Sequence, residues 1–140
     1  MSRSCFRGTS EAFSFDPVGR ELVHELFKEN NLEETLKLPA AFLYLLPWAL
    51  AHSEDIRDLL KATEIIDLSI KAYPNFSSFE GRNKLAVDQH RQVLEKFGRY
   101  PHRNAEFNRE NSEEEKAWLE NKEMLPIWAG GKLSFNKKIK

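Results

Sequence analysis

The sequence predicts a single all-α domain, and three observations support this fold class. Apolar residues recur at helical spacing in several segments, capping signals precede these segments, and no run of alternating apolar and polar residues indicates a strand. The chain has 140 residues, of which 41% are hydrophobic and 31% charged, so it can bury one core. We expect residues 1–125 to form this domain and residues 126–140 to be a loosely ordered basic tail.

The first predicted helix follows a favourable start signal. Asp16 can accept hydrogen bonds at a helix N-terminus, and the fixed φ of Pro17 suits the first helical position. An apolar stripe spaced by four residues then runs as far as Asn30, through Val18, Leu22, Leu26, Val23 and Phe27. The pattern predicts a helix at about 17–29.

The second predicted helix is apolar throughout. Pro39 to Ala51 is a run of thirteen residues without a charge, shorter than the roughly 20 needed to span a membrane. We therefore expect a buried core helix, with Phe42, Tyr44 and Trp48 in the core. Pro47 is expected to kink or end this helix, because proline lacks the amide donor and clashes with the preceding turn.

Each remaining helix begins at a capping signal. Ser53 can cap the first of them, and the capping boxes Ser77-x-x-Glu80 and Ser112-x-x-Glu115 open the other two. Gly98 ends the helix that starts at Ser77, because glycine favours the left-handed conformation of a helix C-terminus. The predicted segments are, in order, Ser53 to Tyr73, Ser77 to Phe97 before Gly98, and a short helix from Ser112.

Charge and cysteine content narrow the possible partners and compartment. The 21 basic and 22 acidic residues nearly cancel, so no global field attracts the chain to nucleic acid or to an anionic membrane. Cys5 is the only cysteine, which excludes an internal disulfide and agrees with a reducing compartment. The first residues lack the apolar run of a signal peptide. The expected location is cytoplasmic, with no membrane partner.

His90 is the first candidate for chemistry. It shares a helical face with apolar residues such as Val93 and Phe97, so it faces the core or the edge of the core. One interpretation is a core histidine satisfied by an internal hydrogen bond. The other is a base or orienting group in a site, since the loop that follows this helix carries further polar residues.

That loop contains the second group of candidates. Arg99, His102, Arg103 and Asn104 offer guanidinium, imidazole and amide donors, which suit a carboxylate or a phosphate. The same arginines could instead pair with carboxylates of the protein, such as Glu54 or Glu114. Both interpretations remain open at the level of sequence.

No metal or cofactor site is predicted. His52 and Glu54 lie two residues apart, which is not the i, i+4 spacing of helical zinc ligands, and no third ligand is specified. The chain has no glycine-rich phosphate loop, nucleophile elbow or CxxC pair.

One segment carries a resemblance to a known family. The run Phe97-Gly98-Arg99-Tyr100-Pro101-His102-Arg103-Asn104, with His90 before it and Arg109 and Glu114-Glu115-Lys116-Ala117-Trp118-Leu119 after it, resembles the bacterial-type family of unknown function number nine hundred and twenty-four. Two earlier segments, Phe6-Arg7-Gly8-Thr9 and His52-Ser53-Glu54-Asp55, resemble motifs of the same family in the same order. The resemblance spans about residues 3 to 120.

The resemblance implies a fold and a surface. The implied fold is a TPR-like right-handed array of antiparallel helix hairpins, an architecture used mostly for binding. Family members carry an N-terminal helical region that ends in a Leu-Asp-Gln-Phe-Pro-Arg-Asn motif before Phe-Arg-Gly-Thr. This chain begins inside that earlier motif, with Arg3 and Ser4 at its last two positions. The resemblance therefore implies either a truncated gene model or an apolar face that a second copy would cover, and hence a possible homo-oligomer.

Two functional hypotheses follow. The preferred one is a binding or scaffold module that recognises a small anion or an acidic peptide. The alternative is a hydrolase or transferase in which His90 or His102 is the general base, Glu54 orients it and arginines stabilise negative charge. The candidate ligand-binding residues are Arg7, His52, Glu54, His90, Arg99, His102, Arg103, Asn104 and Arg109.

Overall fold

The computed structural model describes residues 5–6, 8–29 and 32–134. Within these ranges it confirms the all-α fold, since the only β pairing is an isolated bridge between Pro126 and Leu133. Short 3₁₀ turns follow or precede several helices. The helices are α1 (Asp16–Glu29), α2 (Leu32–Thr35), α3 (Ala40–Ala51), α4 (Ile56–Ala72), α5 (Ser77–Phe97) and α6 (Glu113–Glu120), and the 3₁₀ turns are Ser10–Phe13, Pro74–Phe76, Pro101–Arg103 and Ile127–Ala129.

The core lies where α3, α4 and α5 pack against one another, and α1 packs on α3. Successive helices with short connections are neighbours, as expected for helix hairpins. The main buried side chains are apolar residues of α3, α4 and α5, together with Tyr100 and residues of the C-terminal part. They include Leu50, Leu59, Ile65, Ile66, Val87, Val93, Tyr100, Trp118 and Leu125.

Helix α1 begins at Asp16, close to the predicted start, and buries part of the predicted stripe. Val23 is buried and Phe27 packs against the core, whereas Val18 and Leu22 are 54% and 66% exposed. Gly19, between the two exposed residues, lies against Ala49 of α3 and so sets which side of α1 is covered.

Helix α3 also differs from expectation. It continues through Pro47, which is buried with Leu43 and Leu50 on one side of the helix. The packing of this side offsets the single hydrogen bond that proline removes. Phe42 is 58% exposed rather than in the core.

The helix ends follow the predicted chemistry with one correction. Asp55, not Ser53, caps α4, and its carboxylate accepts the amide of Arg57. The Ser53 hydroxyl, two residues earlier, accepts a hydrogen bond from the Asp55 amide, so it fixes the approach to the helix. Ser112 forms the predicted capping box of α6, and Gly98 ends α5 with φ +69°. The proposed box at Ser77 involves side chains outside the described set.

The segment after Pro126 contacts α5 and the residues just before Pro126. Leu133 is buried, its amide donates to the Leu125 carbonyl, and Gln89 of α5 donates to the Ser134 carbonyl. The turn is tight, because a Cβ on Gly131 would lie 2.0 Å from the Leu125 oxygen. Residues 126–134 of the predicted tail thus make contacts with the domain, while 135–140 lie outside the described residues.

Candidate functional site

A cavity of about 600 Å³ lies beside the C-terminal end of α3 and the middle of α5. The 3₁₀ turn before α1, the loop after α5 and the C-terminal turn close its other sides. We call it the imidazole cavity, because three of the four histidines of the chain line it. Its principal side chains are Phe13, Trp48, His52, His90, His102, Arg103, Glu106, Ile127 and Trp128.

His90 is held in a defined orientation. It is buried, its Nδ1 lies 2.7 Å from the Ala86 carbonyl oxygen, and its ring stacks on Trp128 with 3.9 Å between centroids. A carbonyl can only accept, so Nδ1 carries a proton and the lone pair of a neutral ring lies on Nε2. Both sequence interpretations of His90 therefore apply, since it has an internal hydrogen bond and also lines the cavity.

The other two imidazoles lie near His90. The ring centroid of His52 is 6.2 Å from that of His90, and the ring centroid of His102 is 5.1 Å from that of Trp128. Trp128 thus touches two histidines that are twelve residues apart in the sequence. The fold brings all three imidazoles to one cavity, as both functional hypotheses require.

Arg103 is the cation of this cavity. It is almost completely buried, and its Nη1 donates to the His52 carbonyl at 2.9 Å and lies 3.6 Å from the Asp16 carboxylate. The guanidinium lies between the rings of Phe13 and Tyr100, at 4.9 and 4.6 Å. These contacts fix the charge at the wall of the cavity.

Glu54 lies outside the cavity lining and binds Arg109. The guanidinium donates to both carboxylate oxygens, at 2.6 and 2.9 Å, and the Tyr100 amide donates to Oε1 at 2.8 Å. Burial by itself raises the pKa of the Glu54 carboxyl, but the hydrogen bonds from Arg109 and Tyr100 outweigh it and the pKa lies below its ordinary value.

Arg99 forms a second bidentate pair. It donates to both oxygens of the buried Glu115 carboxylate at 2.7 and 2.8 Å, and to the Glu110 carbonyl at 2.8 Å. The hydrogen bond from Arg99 lowers the pKa of Glu115 to about 2. The expectation that loop arginines pair with carboxylates is met by Glu115 and Glu54, whereas Glu114 pairs with Lys96.

Asn104 completes this set of contacts. It is fully buried, and its side-chain amide donates to the side-chain oxygen of Asn111 at 2.6 Å. Its main-chain carbonyl accepts a hydrogen bond from the main-chain amide of Arg109. Tyr100 is also fully buried, and its hydroxyl donates to the Ala51 carbonyl at 2.7 Å. We call Glu54, Arg99, Asn104, Arg109 and Glu115 the clasp, because they join the loop after α5 to α6 and to the turn before α4.

The predicted site residues therefore divide into two groups. His52, His90, His102 and Arg103 line the imidazole cavity, and Glu54, Arg99, Asn104 and Arg109 belong to the clasp. Arg7 lies outside the described residues. Sequence reasoning missed Trp48, Glu106 and Trp128. Trp128 follows Pro126 in the supposed tail, and no sequence signal connects it to His90.

A second cavity of about 600 Å³ lies between α1 and α4, and charged side chains of the two helices pair at its wall. Asp58, which is buried, accepts hydrogen bonds from Arg20 and from His24. This cavity is more open than the imidazole cavity and contains the fourth histidine. Its ion pairs join α1 to α4, so we assign it a structural role.

No group of three histidine, cysteine or carboxylate side chains in the described ranges could hold a metal ion. None of the helices found there is long and apolar enough to cross a membrane.

The fold and the site define a small helical protein with one cavity enclosed by imidazole and indole rings. A sequence profile described as a bacterial protein of unknown function (DUF924) matches residues 1–123. The chain therefore belongs to this family.

One solved structure has a fold similar to most of this chain. It is a protein of unknown function from Agrobacterium tumefaciens, 27% identical to this chain, with a TM-score of 0.65. The match covers 85% of this chain and 60% of the other, so the chain spans about three fifths of the length of that relative. Comparison with curated proteins finds no match.

Proposed function

We propose that this chain is a binding module whose imidazole cavity holds a small organic anion with a flat apolar body. The observation that carries this proposal is the convergence of His52, His90 and His102 with Arg103 on one cavity. Guanidinium and protonated imidazole groups are the donors that hold carboxylates and phosphates most strongly. The carboxylate of an acidic peptide terminus presents the same chemistry.

The walls of the cavity support the apolar part of the ligand. Phe13, Trp48, Ile127 and Trp128 contribute rings and an aliphatic side chain. The volume of about 600 Å³ lies within the range of about 300–1,000 Å³ that is typical of small-molecule sites. An anion with an aromatic or other planar body matches both the polar and the apolar walls.

Glu106 adds a further requirement to the ligand. Its Oε2 atom is buried without a hydrogen-bond partner among the described residues, although it lines the cavity. An unpaired buried acceptor is costly, and a hydroxyl or amino group of a ligand would satisfy it. We therefore expect hydroxylated aromatic acids to bind more tightly than their unsubstituted analogues.

The lining favours binding over covalent catalysis. The described residues around the cavity include no serine, threonine, cysteine or lysine that could attack a substrate. Glu54 is bound to Arg109 and to the Tyr100 amide, so it does not orient a histidine as the catalytic alternative requires.

Hydrolysis by an activated water is the second candidate. It is favoured by one observation, the hydrogen bond to Ala86 that leaves the neutral lone pair of His90 on Nε2. Incubation with p-nitrophenyl acetate and p-nitrophenyl phosphate tests it, with His90→Gln as the comparison. Release of p-nitrophenol that His90→Gln does not reduce would exclude this role.

Binding is tested by titration calorimetry and thermal unfolding with inorganic phosphate, phenyl phosphate, benzoate and 4-hydroxybenzoate. A ligand at 100 times its dissociation constant should raise the free energy of unfolding by about 2.7 kcal/mol. His102→Gln should weaken binding, whereas His24→Gln, which changes the histidine outside the cavity, should not. If none of the four compounds binds, or if both variants weaken binding equally, the proposal is wrong.

A further inference from the structure

Glu106 presents a carboxylate to the imidazole cavity that no described residue binds through its buried oxygen. The side chain lines the cavity, and its Oε2 atom is buried without a hydrogen-bond partner. Two other glutamates that contact the loop after α5, Glu54 and Glu115, each bind an arginine through two hydrogen bonds. Glu106 therefore differs from the carboxylates of the clasp, because its donor must come from outside the described residues.

Arg103 and Glu106 lie on the same turn of the chain. The Arg103 carbonyl accepts the Phe107 amide at 3.1 Å, so residues 103–107 form one helical turn. Side chains three positions apart on such a turn lie on one side of it, with about 5–6 Å between their Cβ atoms. Both side chains line the cavity, yet the Glu106 Oε2 atom accepts no hydrogen bond from Arg103. A cation and a carboxylate thus border the same part of the cavity without closing on each other.

The charges at this wall suit a ligand with two charges better than a simple anion. The Asp16 carboxylate lies 3.6 Å from the Arg103 Nη1 atom and offsets part of the guanidinium charge. Glu106 adds a second carboxylate. A simple anion bound at Arg103 would be repelled by Glu106, whereas a positive group next to the negative one would be attracted.

We propose that the ligand of the imidazole cavity is a free aromatic α-amino acid. Its ammonium and carboxylate groups are bonded to one carbon, so they match a carboxylate and a cation on one turn. The ligand carboxylate binds Arg103 and the protonated imidazoles, and the ammonium donates to Glu106. The aromatic body lies against the rings of Phe13, Trp48 and Trp128. This inference rests on the proposed function, since the same donors hold the anionic group.

The pairing of both charges separates a free amino acid from the end of a peptide. A peptide C-terminus has no ammonium on the carbon that bears the carboxylate, and a peptide N-terminus has no carboxylate there. Either end would satisfy Arg103 or Glu106 but not both.

Titration calorimetry of the full chain with matched ligands tests the proposal. The compounds 3-phenylpropionate, L-3-phenyllactate and L-phenylalanine carry hydrogen, hydroxyl and ammonium at the same carbon. We expect L-phenylalanine to bind about 10-fold more tightly than L-3-phenyllactate, because an ammonium forms charge-assisted hydrogen bonds with a carboxylate. N-acetyl-L-phenylalanine and L-phenylalaninamide imitate the two peptide ends, and each should bind at least about 10-fold more weakly than L-phenylalanine.

Glu106→Gln tests the assigned partner of the ammonium, because it keeps the size of the side chain and removes the charge. The ratio of the affinities for L-phenylalanine and 3-phenylpropionate should fall about 10-fold, since only the amino acid has a group for Glu106. Glu110→Gln makes the same change at an exposed glutamate of the same loop, outside the cavity lining, and should leave the ratio unaltered. Circular dichroism of both variants should match that of the original chain.

Equal affinities for L-phenylalanine and 3-phenylpropionate would overturn this inference and leave the proposed function in place. An affinity ratio that Glu106→Gln does not lower, or that Glu110→Gln lowers as much, would also overturn it. If neither these compounds nor phenyl phosphate and benzoate bind, the proposed function fails together with the inference.

Discussion

The clasp and the imidazole cavity are built from the same loop, yet they use its polar residues differently. In the clasp, Arg99 and Arg109 each meet a carboxylate through two hydrogen bonds. In the cavity, Arg103 is held by the His52 carbonyl, by aromatic rings and by a longer, single contact of 3.6 Å to the Asp16 carboxylate, and imidazoles surround open space. Pairs satisfied inside the protein stabilise the fold, whereas donors around a cavity are suited to a ligand.

Breaking the clasp should have the largest effect on stability. Glu54→Ala removes the acceptor for the Arg109 side chain and for the amide of the fully buried Tyr100. We expect the free energy of unfolding to fall by about 2–3 kcal/mol, because a half-buried charge and a buried amide lose their partner. Urea unfolding followed by circular dichroism measures this change.

The matched control is Glu64→Ala, which breaks an exposed pair with Lys61. Such pairs contribute at most about 1 kcal/mol. A loss for Glu54→Ala no larger than that for Glu64→Ala would contradict the structural role of the clasp.

Acid should weaken the clasp through Glu115. The hydrogen bond from Arg99 lowers its folded-state pKa to about 2, below the ordinary value of 4.5. Its contribution to the free energy of unfolding is therefore complete above about pH 4.5 and is lost as the pH falls toward about 2. After allowance for solvent screening, we expect this loss to be about 1–2 kcal/mol. Urea unfolding at pH 6 and pH 3 should show a smaller difference for Glu115→Gln than for the original chain.

A change in the cavity should leave stability almost unaltered. His102→Gln is expected to change the free energy of unfolding by less than about 1 kcal/mol, and to weaken binding of phenyl phosphate about 10-fold. Calorimetry and urea unfolding on the same samples measure the two effects. A large loss of stability without a change in affinity would show that His102 stabilises the fold, as the clasp residues do, and does not bind the ligand.

The sequence predicts the helices better than it predicts which sides are buried. Periodicity and caps locate α1, α3, α4, α5 and α6 to within a few residues, because these signals are local. The same periodicity does not reveal that Val18 and Phe42 are exposed, since burial depends on what packs against the helix. An all-apolar helix such as α3 gives no preferred side at all.

The site is only partly predictable for the same reason. The loop and its donors are recognisable, but their division between clasp and cavity depends on partners distant in sequence. Glu54 reaches Arg109 across 55 residues, and Trp128 stacks on a histidine 38 residues earlier. Neither contact leaves a local pattern in the chain.

The most direct test of the division between clasp and cavity observes all four histidines at once. A long-range ¹H–¹⁵N correlation spectrum of the imidazoles can be recorded while phenyl phosphate or 4-hydroxybenzoate is added. The account predicts that the signals of His52, His90 and His102 shift together, whereas that of His24, which binds Asp58 between α1 and α4, stays unchanged. Shifts confined to His24, or no shift with either ligand at saturating concentration, would contradict it.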